Sequence, residues 1–118
     1  MRIGELSSRT GVSRRSLRYY EEQGLLTSSR AVSGQRHYDD GHVRRVGLIQ
    51  AFLSAGLSSR AIAQMVPCMD EPTKRKAQRA HVAMQRERNR LSTTIESLVA
   101  AQQALDDLIA VNRSYLAE

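Results

Sequence analysis

Residues 74–111 contain neither glycine nor proline and are dominated by Ala, Gln, Arg, Leu and Glu, so they read as one uninterrupted helix. Within it Met84, Leu91, Leu98 and Leu105 recur every seven residues. Ile95, Ile109 and Leu116 occupy the partner column four residues further on. This is the spacing of a helix that packs against another helix. His81, Arg88, Gln102 and Asn112 share the same columns, so the seam is imperfect. About five turns of amphipathic helix are more than a small head can cover, and a partner helix is expected. A lone helix in solvent would leave the apolar column bare.

A chain of 118 residues then has room for a small head and this helix, not for two full domains. The division expected is a head over 1–66, a polar linker over 67–73, a dimerisation helix over 74–112 and a tail over 113–118. Pro72 is placed to start the long helix. Charge is lopsided between the parts. Residues 1–60 carry ten arginines, no lysine and five acids, whereas residues 61–118 carry eight basic and seven acidic residues. The head is therefore the anion-facing part, and guanidinium forks suit phosphates and base edges better than point charges do. The first residues lack an apolar export segment, no run approaches membrane-spanning length, and a single cysteine, Cys68, excludes an internal disulfide framework. A cytoplasmic protein without membrane contact is expected.

Along the head, Ile3 and Leu6 share a face of a short helix that Gly11 stops. Ser13 is a good N-cap for a second helix over roughly 14–23, ending at Gly24. Two short helices joined by a glycine-containing turn make a helix-turn-helix. In the second, Leu17 points inward while Ser13, Arg14, Arg15 and Arg18 share the outward side. Tyr19 and Tyr20 lie about 100° apart on the wheel, so one can pack while the other leans out with a free hydroxyl. A phenol at the rim of a basic helix can donate to a phosphate.

Ser33-Gly34 is a turn and 35–38 a short strand, placing Arg30, Arg36 and His37 on a hairpin beside that helix. Asp39-Asp40 opens a third helix with Val43, Val46, Leu48, Ile49, Phe52 and Leu53 as its apolar stripe and Gly56 at its end. Ser58 caps a fourth, with Ile62, Met65 and Val66 inward and Pro67 as its stop.

The runs RIGELSSRTGVSRRSLRYYEEQGLL and GQRHYDDGHVRRVGLIQAFLSAGLSSRAIAQMV resemble the DNA-binding head of the MerR family of bacterial transcription regulators across residues 2–66. The resemblance implies a mainly α fold: a winged helix-turn-helix head, then a long helix that dimerises as an antiparallel coiled coil. It places Tyr19 and Tyr20 on the DNA backbone, Arg18 on a DNA-facing position, Arg36 on the first wing, and Ser59 and Arg60 on the second. Thr27 replaces the family's usual proline, and Gln35 and His37 replace a common Tyr and Arg of the wing. The implied activity is homodimeric regulation at an inverted-repeat operator, by bending and untwisting a promoter so that RNA polymerase can engage it.

No cofactor is expected. One thiol per subunit makes a poor soft-metal site, and a dimer supplies only two of the four thiolates that an iron–sulfur cluster needs. An unidentified small-molecule effector would have to sit between coiled coil and heads. No catalytic constellation or phosphate-binding loop is present, so an enzyme is not expected. The rival reading is a helical protein-interaction adaptor with an incidental basic head, against which the arginines and tyrosines argue. Salt dependence of duplex binding separates the two.

Overall fold

The computed structural model describes residues 1–30, 32–70 and 73–118, and for Arg30 the backbone alone. In chain order the elements are α1 (Ile3–Thr10), α2 (Arg14–Glu22), β1 (Ser29–Arg30), β2 (Arg36–His37), α3 (Asp40–Ser54), α4 (Ser59–Asp70) and α5 (Lys74–Leu116). They form two units, Met1–His81 and Val82–Glu118, with α5 contributing to both. Among the described residues no helix is long and apolar enough to cross a membrane.

In the first unit local signals set the helix ends. Gly11 adopts φ 74° and its N–H closes α1 on the Ser7 carbonyl at 2.9 Å, a backbone conformation that costs a side-chain-bearing residue energy. Ser13 caps α2 by accepting from the Ser16 N–H at 3.1 Å. Asp39 caps α3 by accepting from the Gly41 and His42 N–H groups, and His42 Nδ1 accepts in return from the Asp39 N–H at 3.0 Å. Two otherwise unpaired sets of donors are satisfied at once. The other ring nitrogen of His42, Nε2, donates to the Thr27 carbonyl at 2.7 Å, tying the start of the wing to α3.

The wing is a two-stranded antiparallel hairpin pairing Ser29 with His37 and Arg30 with Arg36. The chain start secures its base: the Tyr38 N–H donates to the Met1 carbonyl and the Met1 amine to the Tyr38 carbonyl, both at 2.7 Å. Beneath lies the core. Helix α1 packs on α2 and α3, and α3 on α4, burying Leu6, Leu17, Leu25, Leu26, Tyr38, Val46, Ile49, Ile62 and Val66 almost completely. Each aliphatic side chain so buried contributes about 1.5–3 kcal/mol. Ala80, in the first turns of α5, is buried in the same unit.

Three expectations need correction. Leu53, assigned to the apolar stripe of α3, is 41% exposed. The left-handed turn at Gly56 (φ 77°) brings Leu57 back beneath the corner, where it is buried instead. Pro67 does not stop the fourth helix: α4 runs through it to Asp70. Proline forfeits one helical bond, but Val66 is fully buried, and the Asp70 carboxylate lies 3.3 Å from Arg44 Nε and 3.6 Å from Arg45 Nη1. Tertiary anchoring on both sides of the proline holds the last turn. The tail expected over 113–118 is helical as far as Leu116. Pro72, expected to start α5, lies outside the described residues.

Candidate nucleic-acid interface

Helix α2 sorts its side chains by face. Leu17 and Tyr20 are buried, while Ser13, Arg14, Arg15, Arg18 and Tyr19 are exposed. The tyrosine pair divides cleanly: Tyr19 is 50% exposed and Tyr20 only 7%. The Tyr20 hydroxyl is hydrogen-bonded to Gln50, and burial pushes its phenol above the ordinary range. Tyr20, expected among the DNA contacts, is therefore a core side chain that joins α2 to α3. Of the pair, Tyr19 is the one that stands in solvent.

The other expected residues also differ in what they are free to do. Ser13 spends its hydroxyl oxygen on capping α2. The Arg14 guanidinium lies against α1, so close that a Cβ added to Gly4 would come within 2.6 Å of Nη2. Arg15 and Arg18 are exposed without such a constraint from Gly4. On the wing, Arg36 is exposed but its Nη1 sits 3.3 Å from Glu21 Oε2, and His37 Nδ1 is 3.4 Å from the Met1 amine. Arg60 is exposed in the first turn of α4, where Ser58 accepts from the Ala61 N–H at 3.2 Å. A helix N-terminus with an arginine suits an anion. The Arg30 side chain lies outside the described residues.

Three of the arginines converge. Arg2, Arg18 and Arg36, with Ile3 and Gln35, line a shallow cleft of about 280 Å³ between the start of α1, α2 and the wing. Arg2 donates to Gln35 Oε1 across it. Arg14, Arg15, His37 and Arg60 do not line this cleft. An open, multiply cationic groove of this kind fits a phosphate and the base edges beside it.

Sequence reasoning missed two members of the site. One is Arg2, whose position just before the first helix is the signal that was available. The other is Glu21, whose Oε1 accepts from the buried Tyr38 hydroxyl while Oε2 faces Arg36. Burial and the Glu21 carboxylate push the Tyr38 phenol up to about 12.

In the second unit Ile95, Leu98, Leu105 and Ile109 are 47–65% exposed, Leu91 is 39% exposed, and Met84 is half-buried. Ile95, Leu98, Val99, Ala101, Gln102 and Leu105 border one continuous, mainly apolar groove. Cys68 is half-buried with its thiol 3.7 Å from the Gln64 carbonyl oxygen. Among the described residues no three His, Cys, Asp or Glu side chains come together as metal ligands would.

Residues 1–67 match the model of the MerR HTH family of regulatory proteins. The chain belongs to the MerR family. Its head is 47% identical over 62 residues to the nodulation protein NolA of Bradyrhizobium elkanii, covering 52% of this chain and 28% of that protein. The chain thus spans little more than a quarter of that relative's length. Among MerR structures it resembles the transcription regulator PbrR691 of Ralstonia metallidurans CH34, solved in complex with lead(II), at 27% identity and a TM-score of 0.77, covering 92% of this chain and 84% of that one. It shares the fold of HiNmlR, a MerR regulator lacking the sensor domain and solved on promoter DNA, at 20% identity and a TM-score of 0.61, covering 98% and 92%.

Proposed function

We propose that the chain is a DNA-binding transcription regulator that works as a homodimer on an inverted-repeat promoter operator. The observation that carries this reading is the cleft lined by Arg2, Arg18 and Arg36 on the face of α2 that also exposes Arg15 and Tyr19. In this reading residues 1–66 are the head, with Arg18 at a base edge and Tyr19, Arg36 and Arg60 on phosphates. Residues 74–112 dimerise as an antiparallel coiled coil through Met84, Leu91, Ile95, Leu98, Leu105 and Ile109, and the exposure of the last five in a single chain supports a partner helix. Two-fold symmetry of such a dimer matches two symmetric half-sites, one major groove for each α2. By family resemblance the dimer bends and untwists the promoter spacer, and RNA polymerase is the further partner.

The test is selection of bound sequences from fragmented genomic DNA by the purified chain. Enrichment of one inverted repeat, protected symmetrically in footprinting, is the expected result. Enrichment of no sequence over input would overturn the assignment of a specific regulator.

A further inference from the structure

One carboxylate joins the wing to the DNA-facing helix. Glu21, near the end of α2, uses its two oxygens separately: Oε1 accepts from the Tyr38 hydroxyl and Oε2 pairs with Arg36 Nη1 at 3.3 Å. Its side chain is only 13% exposed, whereas that of Arg36 is 47% exposed. Tyr38 is fully buried, packed edge-to-face on the His42 ring at a centroid distance of 5.3 Å and paired through its backbone to Met1. The tyrosine therefore fixes the carboxylate in place. Arg36 can swing outward, but Glu21 cannot follow it.

We propose that Glu21 sets the DNA discrimination of the head by competing with phosphate for Arg36. The proposal rests on the reading of the head as a DNA-binding module. In the free protein the Arg36 charge is compensated within the chain. To engage a phosphate the guanidinium must leave Glu21, and a carboxylate is then left uncompensated beside a polyanion. A duplex that seats Arg18 and Tyr19 in register offsets that exchange. A poorly matched duplex does not, so Arg36 stays on Glu21 and adds nothing to non-cognate affinity. Discrimination comes from a penalty placed against the wrong partner.

The test uses the full chain and Glu21→Gln. The amide keeps the shape of the side chain and a carbonyl to accept the Tyr38 hydroxyl, but it no longer holds Arg36 by charge. Binding isotherms on the selected operator and on a scrambled duplex of equal length are measured over a salt series. Affinity for the scrambled duplex is expected to rise about three- to tenfold, with the log–log salt slope steeper by about 0.9 per head. Operator affinity should rise less, so the ratio of the two falls.

A general effect of deleting one acid would act whether or not Arg36 is present. The Arg36→Gln background is therefore included, and there Glu21→Gln should leave the slope unchanged. An unchanged slope in Glu21→Gln alone, or the same gain with and without Arg36, overturns the proposal. Arg36→Gln by itself, at an exposed position, gives a second check: it should lose more affinity on the operator than on the scrambled duplex, and an equal loss on both overturns it. A wild-type chain that binds no duplex would remove the DNA reading together with this proposal. A discriminating wild type whose Glu21→Gln form discriminates equally well would remove this proposal alone.

Discussion

Replacing each neighbouring tyrosine by phenylalanine deletes one hydroxyl, yet the two deletions should fail in different assays. Tyr20 is 7% exposed and its hydroxyl bonds Gln50, so Tyr20→Phe removes a link between α2 and α3. Gln50 is itself exposed, and water can satisfy the amide left behind. The cost is therefore that of one ordinary hydrogen bond, about 0.5–1.5 kcal/mol, without the larger penalty of a buried orphan group. For a unit the size of the head this lowers the melting temperature by roughly 2–12 °C. Tyr19 stands half in solvent, so Tyr19→Phe should melt like wild type. It should instead bind all duplexes more weakly by about 0.5–1.5 kcal/mol, with the salt slope unchanged because no cation is lost. Thermal melting and duplex titration of the two proteins decide it. Normal melting with weakened binding in Tyr20→Phe, beside a Tyr19→Phe that binds like wild type, would refute the division of roles.

Leu98 is 65% exposed on the apolar column of α5, so Leu98→Asp should put a charge into the coiled-coil seam, and sedimentation should show monomers that bind DNA weakly; a mutant dimer of wild-type stability contradicts the seam. The Tyr38 phenol, pushed from its ordinary 10.0 to about 12 by burial and then by Glu21, gives stability that is complete below pH 10 and is lost as pH rises through 12. Tyr38→Phe should therefore remove roughly 1–3 kcal/mol of the alkaline decline between those limits, read from melting temperature against pH; an unchanged decline contradicts it. Asp70→Asn should loosen the last turn of α4 by weakening its hold on Arg44 and Arg45. Faster amide exchange confined to that turn is the expected readout, and unchanged exchange would show that Val66 burial alone holds the helix through Pro67.

What the sequence disclosed and what it hid follow from the range of the interactions. Gly11, Ser13, Asp39 and Gly56 act on their own backbone or on residues a few positions away, so the ends of α1, the starts of α2 and α3 and the corner before α4 could be read directly. The same holds for Leu17, Ile62 and Val66, whose burial follows helical periodicity. Pro67 misled because the bonds that outweigh it come from Arg44 and Arg45 on another helix. Tyr19 and Tyr20 could not be told apart by a 100° step, since which of them is buried depends on the packing of α2 against the rest of the head. Glu21 carried no readable signal because its partners, Arg36 and Tyr38, come from the wing. Arg2 likewise gains its meaning only from the cleft it shares with Arg18 and Arg36.

If the arginines of the head meet duplex phosphates, duplex binding must weaken steeply as salt rises. Each head exposes Arg2, Arg15, Arg18, Arg36 and Arg60. If two to four of them per head neutralise phosphates in a dimer, the slope of log affinity against log salt should lie between about −3.6 and −7.2 on the selected operator. Arg60→Ala, which removes a phosphate contact, should make that slope shallower, whereas Arg18→Ala should cost about 1–3 kcal/mol on the cognate site and narrow its advantage over a mutated half-site. A slope near zero for the wild-type chain, with Arg18→Ala binding equally well, would contradict the account.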